Sequence, residues 1–389
     1  MSQIDHDLLA ANDALRKGNA RVARDNFARV LAAGRTDTAS LLGMAASCRA
    51  LGDHDGVIAT LRPLLAREPR NLHGLILTGD AYGANGDTRS ATSFYLAALK
   101  SAPPSAQLPQ DLVRELQRVR ALCDQSASRY RDYIMDQMTG RGFDPATSSA
   151  RFAQSLDIVL GRKRIYVQEP RYYYFAGLPQ IQFYDNAAFP WIASLEAATD
   201  AIESELRQVL DEPQSFAPYV TGNANRPVND QAGMLNNSDW SACYLWKNGE
   251  PVAENLARFP LTLRALENVP LAKVPGRSPS VLFSQLRPGA HIPAHNGFVN
   301  TRLIGHLPLI VPGPCRFRVG NEVRHWERGK CWLFDDTIEH EAWNDTAQTR
   351  VILLFEVWKP ELTDEERALV IALFEAIDAH DGKRVEWSA

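Results

Sequence analysis

Apolar positions follow two different patterns along the chain. Up to about residue 103, and again between residues 105 and 142, they recur every three to four residues, which is the period of an amphipathic helix. From about residue 171 the apolar runs are short and are separated by prolines, aromatic residues and Pro-Gly, Gly-Asn or Asn-Asp turns, which is typical of strands. The sequence therefore predicts a helical N-terminal part and a mainly antiparallel C-terminal part.

The helical part repeats itself with a period of 34 residues. Gly18, Gly52 and Gly86 are each followed by Asn or Asp, and then by an apolar pair five and nine residues on: Ala23 and Phe27, Val57 and Leu61, Ala91 and Tyr95. A helix–turn–helix repeat needs a turn residue, a small residue where its helices cross and a large residue that fills the gap to the next unit. The pattern resembles three tetratricopeptide repeats, with a kink expected at Pro63. Such an array presents a concave surface to a peptide or partner protein, or buttresses the next domain.

The C-terminal part is predicted to contain strands with a helix at either end. Residues 191–210 place five apolar residues on one stripe, which predicts a single amphipathic helix. Thr363 and Glu366 form a capping-box pattern that opens a last helix. Between them, several short apolar runs favour an antiparallel barrel or jelly roll. The predicted class is α+β, with tetratricopeptide-like repeats at 1–104, a helical linker at 105–165 and the strand-rich domain at 166–389.

Composition and charge exclude several other classes of protein. The 389 residues are too many for one ordinary core, and 45% hydrophobic with 23% charged residues is typical of globular proteins. A net charge of −4 argues against a nucleic-acid partner held by bulk charge. No apolar run approaches the length of a membrane span, and the first residues do not resemble a secretory signal. Five widely spaced cysteines predict reduced thiols, so a cytoplasmic protein is expected.

Residues with catalytic chemistry are concentrated between Ser284 and Arg350. This segment contains five of the nine histidines: His291, His295, His306, His325 and His340. Imidazole binds first-row metals, and a catalytic site needs only two or three protein ligands when it keeps open positions for substrate and oxygen. A lone histidine such as His306, within the run RLIGHLPL, is more often a hydrogen-bonded core residue.

An ordered series of motifs closely resembles the aspartyl/asparaginyl β-hydroxylase family. These motifs are GLPQIQFYDNAAFPW, SDWSACYLWKNGE, FSQLRPGAHIP, HIPAHNGFVNTRLIGHLPL, FDDTIEHEAWN and RVILLFEVWKPELTDEER. The resemblance extends over residues 171–367, and tetratricopeptide repeats precede such a domain in the founding members of the family. It implies a double-stranded β-helix and an oxygenase that depends on iron(II) and uses 2-oxoglutarate as co-substrate.

Carried over position by position, the resemblance implies a two-histidine iron site. His295 and His340 match the iron ligands, and Gly297 stands where most oxygenases of this class have a carboxylate. The family shares that gap, and water is thought to complete the iron's coordination there. The acids Asp335 and Asp336 lie close to His340 in sequence, but a tight turn before a strand explains them equally well.

The resemblance also implies the residues that bind co-substrate and substrate. Arg350 matches the arginine for the far carboxylate of 2-oxoglutarate, and a guanidinium on a strand inside a barrel is suited to that role. Alternation places Arg350 on the same face as Ile352 and Leu354. Ser284 and His306 match residues that contact the carboxylates of 2-oxoglutarate, and Arg302 matches a substrate-binding arginine.

The substrate-binding string departs from the vertebrate type, which has a second arginine where this chain has Ile304. Isoleucine cannot donate to a carboxylate, so we expect a substrate less dependent on two cations, unless Arg226 or Arg316 replaces the missing one. Three functions therefore compete. They are a hydroxylase of an aspartyl, asparaginyl or similar residue in a peptide docked on the repeats, a hydroxylase of a small molecule or lipid, and a non-catalytic repeat scaffold.

Overall fold

A computed structural model of the chain describes residues 2–103, 108–212, 214–222 and 233–381. The chain divides into two compact units, residues 1–162 and residues 163–389. In the described residues, no helix is both long enough and apolar enough to cross a membrane. All five cysteines are buried and none forms a disulfide.

The first unit consists of helices joined by short turns. They are α1 (Gln3–Arg16), α2 (Ala20–Ala32), α3 (Thr38–Ala50), α4 (His54–Arg67), α5 (Leu72–Ala84), α6 (Thr88–Ser101), α7 (Gln110–Thr139) and α8 (Ala150–Val159). The first six form three consecutive pairs, one for each predicted repeat. The long helix α7 follows them where the sequence predicts a linking helix.

The repeat turns have the geometry that the sequence pattern requires. Gly18, Gly52 and Gly86 have φ values of 75°, 73° and 82°, a region that glycine adopts without strain. The residue after each glycine caps the next helix, as when the side chain of Asp53 accepts from the Gly56 amide. Where α5 crosses α6, a Cβ on Gly79 would lie 2.5 Å from the ring of Tyr95. Because these features recur in register, the tetratricopeptide-like class is confirmed. Pro63 lies inside α4, which continues to Arg67.

The second unit is strand-rich. Its helices are α9 (Ile192–Ala197), α10 (Thr199–Arg207), α11 (Ala253–Leu256), α12 (Pro260–Leu266) and α13 (Asp364–Asp381). Its strands are β1 (Ala217–Pro218), β2 (Trp240–Lys247), β3 (Glu250–Pro251), β4 (Val281–Leu286), β5 (His291–His295), β6 (Arg302–Ile310), β7 (Cys315–Val319), β8 (Glu322–His325), β9 (Trp332–Phe334), β10 (His340–Asn344) and β11 (Arg350–Trp358).

The strands form two antiparallel sheets. The larger has seven strands in the order β1-β2-β4-β11-β6-β9, with β3 beside β2, and the smaller has the order β5-β10-β7-β8. Apolar side chains from both sheets, such as Ile304, Leu354 and Phe317, form one core between them. The opposite face of the larger sheet packs against α9, α10 and α12. The predicted α+β class with a jelly-roll domain is therefore confirmed.

The predicted single helix over residues 191–210 is wrong in one respect. The segment forms two helices, α9 and α10, which meet at Ala198. The hydroxyl of Thr199 donates to the carbonyl of Glu196 at 2.6 Å, so it takes an acceptor of the preceding turn. Ile192, Leu195, Ile202 and Leu206 are nevertheless all buried in the same core, which explains why the apolar stripe looked continuous.

A fully buried ion pair joins the loop before β10 to the end of β11. The ammonium of Lys359 lies 2.7 Å from the Asp335 carboxylate, and both side chains are completely buried. The same carboxylate accepts from the Gln168 amide at 2.6 Å and from the amide and hydroxyl of Thr337 at 3.0 and 2.6 Å. Three separate segments are thus fixed to one carboxylate.

We predict that Lys359→Met lowers the free energy of unfolding of this unit by about 3–5 kcal/mol, because it leaves Asp335 buried and unpaired. Urea unfolding followed by tryptophan emission measures it, since all eight tryptophans follow residue 190. Asp345→Asn breaks an ion pair whose two side chains are 41% and 42% exposed, and it should cost less than about 1 kcal/mol. Equal costs for the two variants would show that the buried pair is not a key restraint.

Candidate active site

The strand register brings the two predicted iron ligands together. In the ladder between β5 and β10, His295 lies directly opposite His340. Their ring centroids are 4.1 Å apart, and both side chains line a cavity of about 370 Å³ between the two sheets. The pairing follows from the fold, because residues directly opposite each other in an antiparallel ladder have neighbouring side chains.

Hydrogen bonds and burial determine the tautomer and the charge of both imidazoles. Nδ1 of His295 lies 2.7 Å from the carbonyl of Pro293, and Nδ1 of His340 lies 3.1 Å from the carbonyl of Ile338. A carbonyl can only accept, so Nδ1 carries the proton and Nε2 keeps its lone pair. Burial lowers the pKa of His295 to about 4 and also lowers the pKa of His340, next to His295. Both rings are therefore neutral near pH 7, as a ligand must be.

Arg350 occupies one end of the cavity. Its side chain is buried, its Nε has no hydrogen-bond partner, its Nη1 donates to the Ser284 carbonyl at 3.5 Å, and among the described residues it forms no ion pair with a carboxylate. Burial lowers its pKa to about 10, so it stays protonated at neutral pH. Its guanidinium stacks over Trp326, with 4.5 Å to the ring centroid. A buried cation of this kind is costly unless an anionic ligand completes its contacts.

Two other predicted residues lie on the same cavity wall. Ser284, on the neighbouring strand β4, accepts a hydrogen bond from the indole Nε1 of Trp240 at 3.2 Å. Nδ1 of His306 has no partner, and burial together with Arg350 lowers the pKa of this histidine well below its ordinary value. Ser284, His306 and Arg350 therefore offer one hydroxyl, one neutral imidazole and one guanidinium at the same end.

Arg302 lies toward the other end of the cavity and is already flanked by acids. Its Nη2 is 3.3 Å from the Asp336 carboxylate, and its Nη1 is 3.3 Å from the Glu356 carboxylate. Ile304 follows two residues on and also lines the cavity. Burial raises the pKa of Asp336 to about 7, although Arg302 acts in the opposite direction.

The two acids before β10 have different environments. Asp335 makes the tight turn that the sequence predicts, since its side chain accepts from Thr337 two residues on. Asp336 instead lies on the cavity wall beside Gly297, where an added Cβ would collide with its carboxylate. Among the described residues, no group of three or more His, Cys, Asp or Glu is arranged to hold a metal ion. Gly297 is thus a packing requirement as well as a gap in the ligand pattern.

All six residues singled out for the site line the same cavity: Ser284, His295, Arg302, His306, His340 and Arg350. His291 does not join them, because it stacks on Trp343 and contacts Glu341. Arg316 pairs with Asp345 at 2.6 Å and is not on the cavity wall, so it does not supply the missing second cation. Arg226 lies outside the described residues.

Sequence reasoning missed Trp240 and Glu356. Trp240 stacks on Tyr219 with ring centroids 4.1 Å apart, and both line the cavity. Extending the alternation of β11 from Arg350 through Leu354 by two residues would have placed Glu356 on the same face. No comparable signal identified Trp240, because its hydrogen bond to Ser284 depends on the pairing of β2 with β4.

Comparison with known proteins gives a match within the strand-rich unit. Residues 196–360 match the family model described as aspartyl/asparaginyl beta-hydroxylase. The resemblance to this family is therefore confirmed for the strand-rich unit.

The chain matches only part of the length of each curated relative. The chain is 38% identical over 192 residues to an ornithine lipid ester-linked acyl 2-hydroxylase of Rhizobium tropici, which is 48% of this chain and 63% of that protein. It is 33% identical over 185 residues to the mouse aspartyl/asparaginyl beta-hydroxylase, which is 47% of this chain and 23% of that protein. The solved structure of the tetratricopeptide domain of Sgt2 from Aspergillus fumigatus aligns over 38% of this chain and 89% of that domain. The sequence identity is 15% and the TM-score is 0.28.

We predict that Gly297→Ala lowers the free energy of unfolding by about 1–3 kcal/mol, because its methyl group overlaps the Asp336 carboxylate. Adding Asp336→Gly to the same chain removes the overlap. Asp336→Gly should therefore lower the free energy of unfolding less in the Gly297→Ala protein than in the wild-type protein. A double-mutant cycle of urea unfolding measures the coupling. Additive costs would contradict the packing described for these two residues.

Proposed function

We propose that the chain is an iron(II)- and 2-oxoglutarate-dependent dioxygenase that hydroxylates an unactivated carbon of its substrate. The observation that carries the proposal is the pair of neutral, buried histidines in the cavity that ends at an unpaired buried arginine. Neither feature has a structural explanation of its own. Buried histidines without acidic partners and a buried arginine without a carboxylate both destabilise a fold, so they are retained where ligands use them.

The residues present fit iron(II). His295 and His340 offer one Nε2 each, and a metal with only two protein ligands would keep open positions for water and for a chelating co-substrate. Iron bound there would supply the oxygen chemistry, in which one oxygen atom enters a C–H bond of the substrate while 2-oxoglutarate is converted to succinate and carbon dioxide. Apart from that chemistry, the protein supplies orientation and the exclusion of water.

Arg350, Ser284 and His306 fit 2-oxoglutarate. The guanidinium offers a fork of donors to the far carboxylate, and it is preorganised by its stack on Trp326. The Ser284 hydroxyl accepts from Trp240, so its own proton is free to be donated to an anion. Aromatic and aliphatic residues such as Phe317 and Ile352 line the cavity between these groups and keep water away from the reacting atoms.

The proposed substrate is an aspartyl, asparaginyl or similar residue of a peptide or protein. The tetratricopeptide-like repeats support a peptide, because arrays of this kind commonly bind extended segments. In this proposal Arg302 contacts the residue that is hydroxylated. A library of peptides screened for the mass gain of one oxygen atom tests this proposal, and the cytoplasmic location stays a prediction from composition.

A lipid or small molecule is the second candidate. The cavity wall contains Ile304 and Leu354, and the aromatic rings of Tyr219 and Tyr244 continue it. An apolar wall of this kind also suits an acyl chain, and the Rhizobium tropici relative is named as an acyl hydroxylase of a lipid. If lipids are oxidised and no peptide is, this candidate replaces the first.

We predict that purified protein binds iron(II) and slowly forms succinate from 2-oxoglutarate even without substrate. His295→Ala or His340→Ala should abolish both properties, because each removes a ligand. Asp336→Asn should leave iron binding nearly intact, because its carboxylate is not among the proposed ligands. Iron content by mass spectrometry and succinate by chromatography are the measurements. Iron loss from Asp336→Asn would refute the two-histidine assignment, and bound iron without succinate would favour the scaffold.

We further predict that Arg350→Lys weakens binding of 2-oxoglutarate by about 10-fold or more, because lysine keeps the charge but loses the bidentate fork. Titration of the iron-loaded protein with 2-oxoglutarate under nitrogen measures it. Arg316→Lys is the matched control, since Arg316 is not on the cavity wall. An unchanged titration for Arg350→Lys would place the co-substrate anchor elsewhere.

A further inference from the structure

The cavity ends in a charged group whose acids the proposed reaction does not use. Arg302, Asp336 and Glu356 are 3%, 6% and 6% exposed, and all three line the cavity. Glu356 lies six residues along β11 from Arg350, about 20 Å away for an extended strand. With both acids ionised, this group has a formal charge of −1, at the end of the cavity opposite the co-substrate arginine.

Two members of this group have hydrogen-bonding atoms without partners. Within the part of the chain that the structure describes, Nε of Arg302 donates to nothing and Oδ1 of Asp336 accepts from nothing, whereas Nη1 of Arg302 lies 3.3 Å from the Glu356 carboxylate. Glu356, by contrast, accepts from the Ser278 hydroxyl at 2.6 Å. Buried donors and acceptors are almost always paired, so open ones on a cavity wall point to a ligand. Here an open donor and an open acceptor lie on side chains that contact each other.

We infer that Arg302 and Asp336 together recognise an amide group of the substrate, with Glu356 disfavouring a carboxylate in the same place. The amide carbonyl accepts from Arg302, and the amide N–H donates to Oδ1 of Asp336. This inference rests on the proposed function and narrows its substrate class. It applies to the side-chain amide of the residue that is hydroxylated.

Other polar groups fit this end of the cavity less well. A carboxylate would bring a negative charge against Asp336 and Glu356 and would leave Oδ1 without a donor. An ammonium group would leave Nε of Arg302 unpaired. An amide supplies one acceptor and one donor and carries no charge, so it satisfies both open positions without electrostatic cost.

The neighbouring residues that the structure describes offer no second buried cation without an acidic partner at this end of the cavity. Ile304 lies directly opposite Glu356 in the ladder and offers no donor. Of the other cations on the cavity wall, Arg171 and Lys247 are exposed, and Arg277 pairs with Asp378. The selectivity therefore comes as much from the repulsion of a wrong group as from attraction of the right one.

The test compares two probes that differ in one group, N-acetylasparagine methylamide and N-acetylaspartate methylamide. Binding of each to the full chain, loaded with iron(II) and 2-oxoglutarate under nitrogen, is measured by saturation-transfer NMR. Matched Asn and Asp peptides are then compared by mass gain in air. We expect the wild-type protein to favour the amide by about 10-fold or more. Glu356→Gln and Asp336→Asn should each shift the ratio toward the acid by a similar factor.

Two further variants keep the result interpretable. Glu339→Gln removes an acid of the same loop that pairs with Arg318 at 2.7 Å and does not line the cavity, so it should leave the ratio unchanged. Ile304→Arg removes no polar group and adds a donor opposite Glu356, so it should shift the ratio toward the acid on its own. Near-UV circular dichroism shows which variants are folded.

Each outcome separates the inference from the proposed function. Succinate formation with a wild-type preference for the acid, or with ratios that no folded variant shifts, overturns the inference alone. A preference for the amide that Glu356→Gln reduces, in a protein that never forms succinate, supports the inference and overturns the dioxygenase. Binding of neither probe, or loss of iron from Asp336→Asn, overturns the assignment of Asp336 to the substrate.

Discussion

The arrangement of the cavity depends on one carboxylate, that of Asp335, buried without access to water. It accepts from Lys359 beyond β11, from Gln168 in the segment that leads into the strand-rich unit, and from its own turn at Thr337. The next residue along the chain is Asp336, and His340 follows after one turn. A buried ion pair of this kind adds little net stability but is strongly unfavourable to break. Its value to the protein is that it allows the loop only one conformation, and two groups of the site project from that loop.

The two faces of the central strand β11 contact different parts of the unit. Val351, Leu353, Phe355 and Val357 face the helices, whereas Arg350, Ile352, Leu354 and Glu356 face the cavity. A charged residue thus begins and ends the cavity face, with an apolar pair between them. Arg350 and Arg302, which lie toward opposite ends of the cavity, differ in their surroundings. Arg350 has no acid near it and is open to an anion, whereas Arg302 is already compensated by acids on both sides.

Local patterns were sufficient to predict much of this architecture. The repeat glycines could be read from the sequence because a left-handed turn requires that residue type at a fixed interval, and the histidines because the motif series is ordered. The break at Ala198 could not be predicted, because it depends on the hydrogen bond from the Thr199 hydroxyl to the Glu196 carbonyl in the preceding turn. The acids around Arg302 could not either. Asp336 and Glu356 follow Arg302 by 34 and 54 residues in the sequence. They lie beside it only because β11 pairs with β6 and because of the loop before β10.

The order of strands in the larger sheet also bears on how the chain folds. Strand β11 lies between β4 and β6 in the middle of that sheet, yet it is the last strand to leave the ribosome. The helical repeats contact mainly their neighbours in sequence, and such local topologies fold fast. In the strand-rich unit, β4 and β6 cannot pair with β11 until residue 358 has emerged. Until then each of them has an unpaired edge. Unpaired strand edges favour aggregation, so the strand order makes this interval of synthesis a vulnerable one.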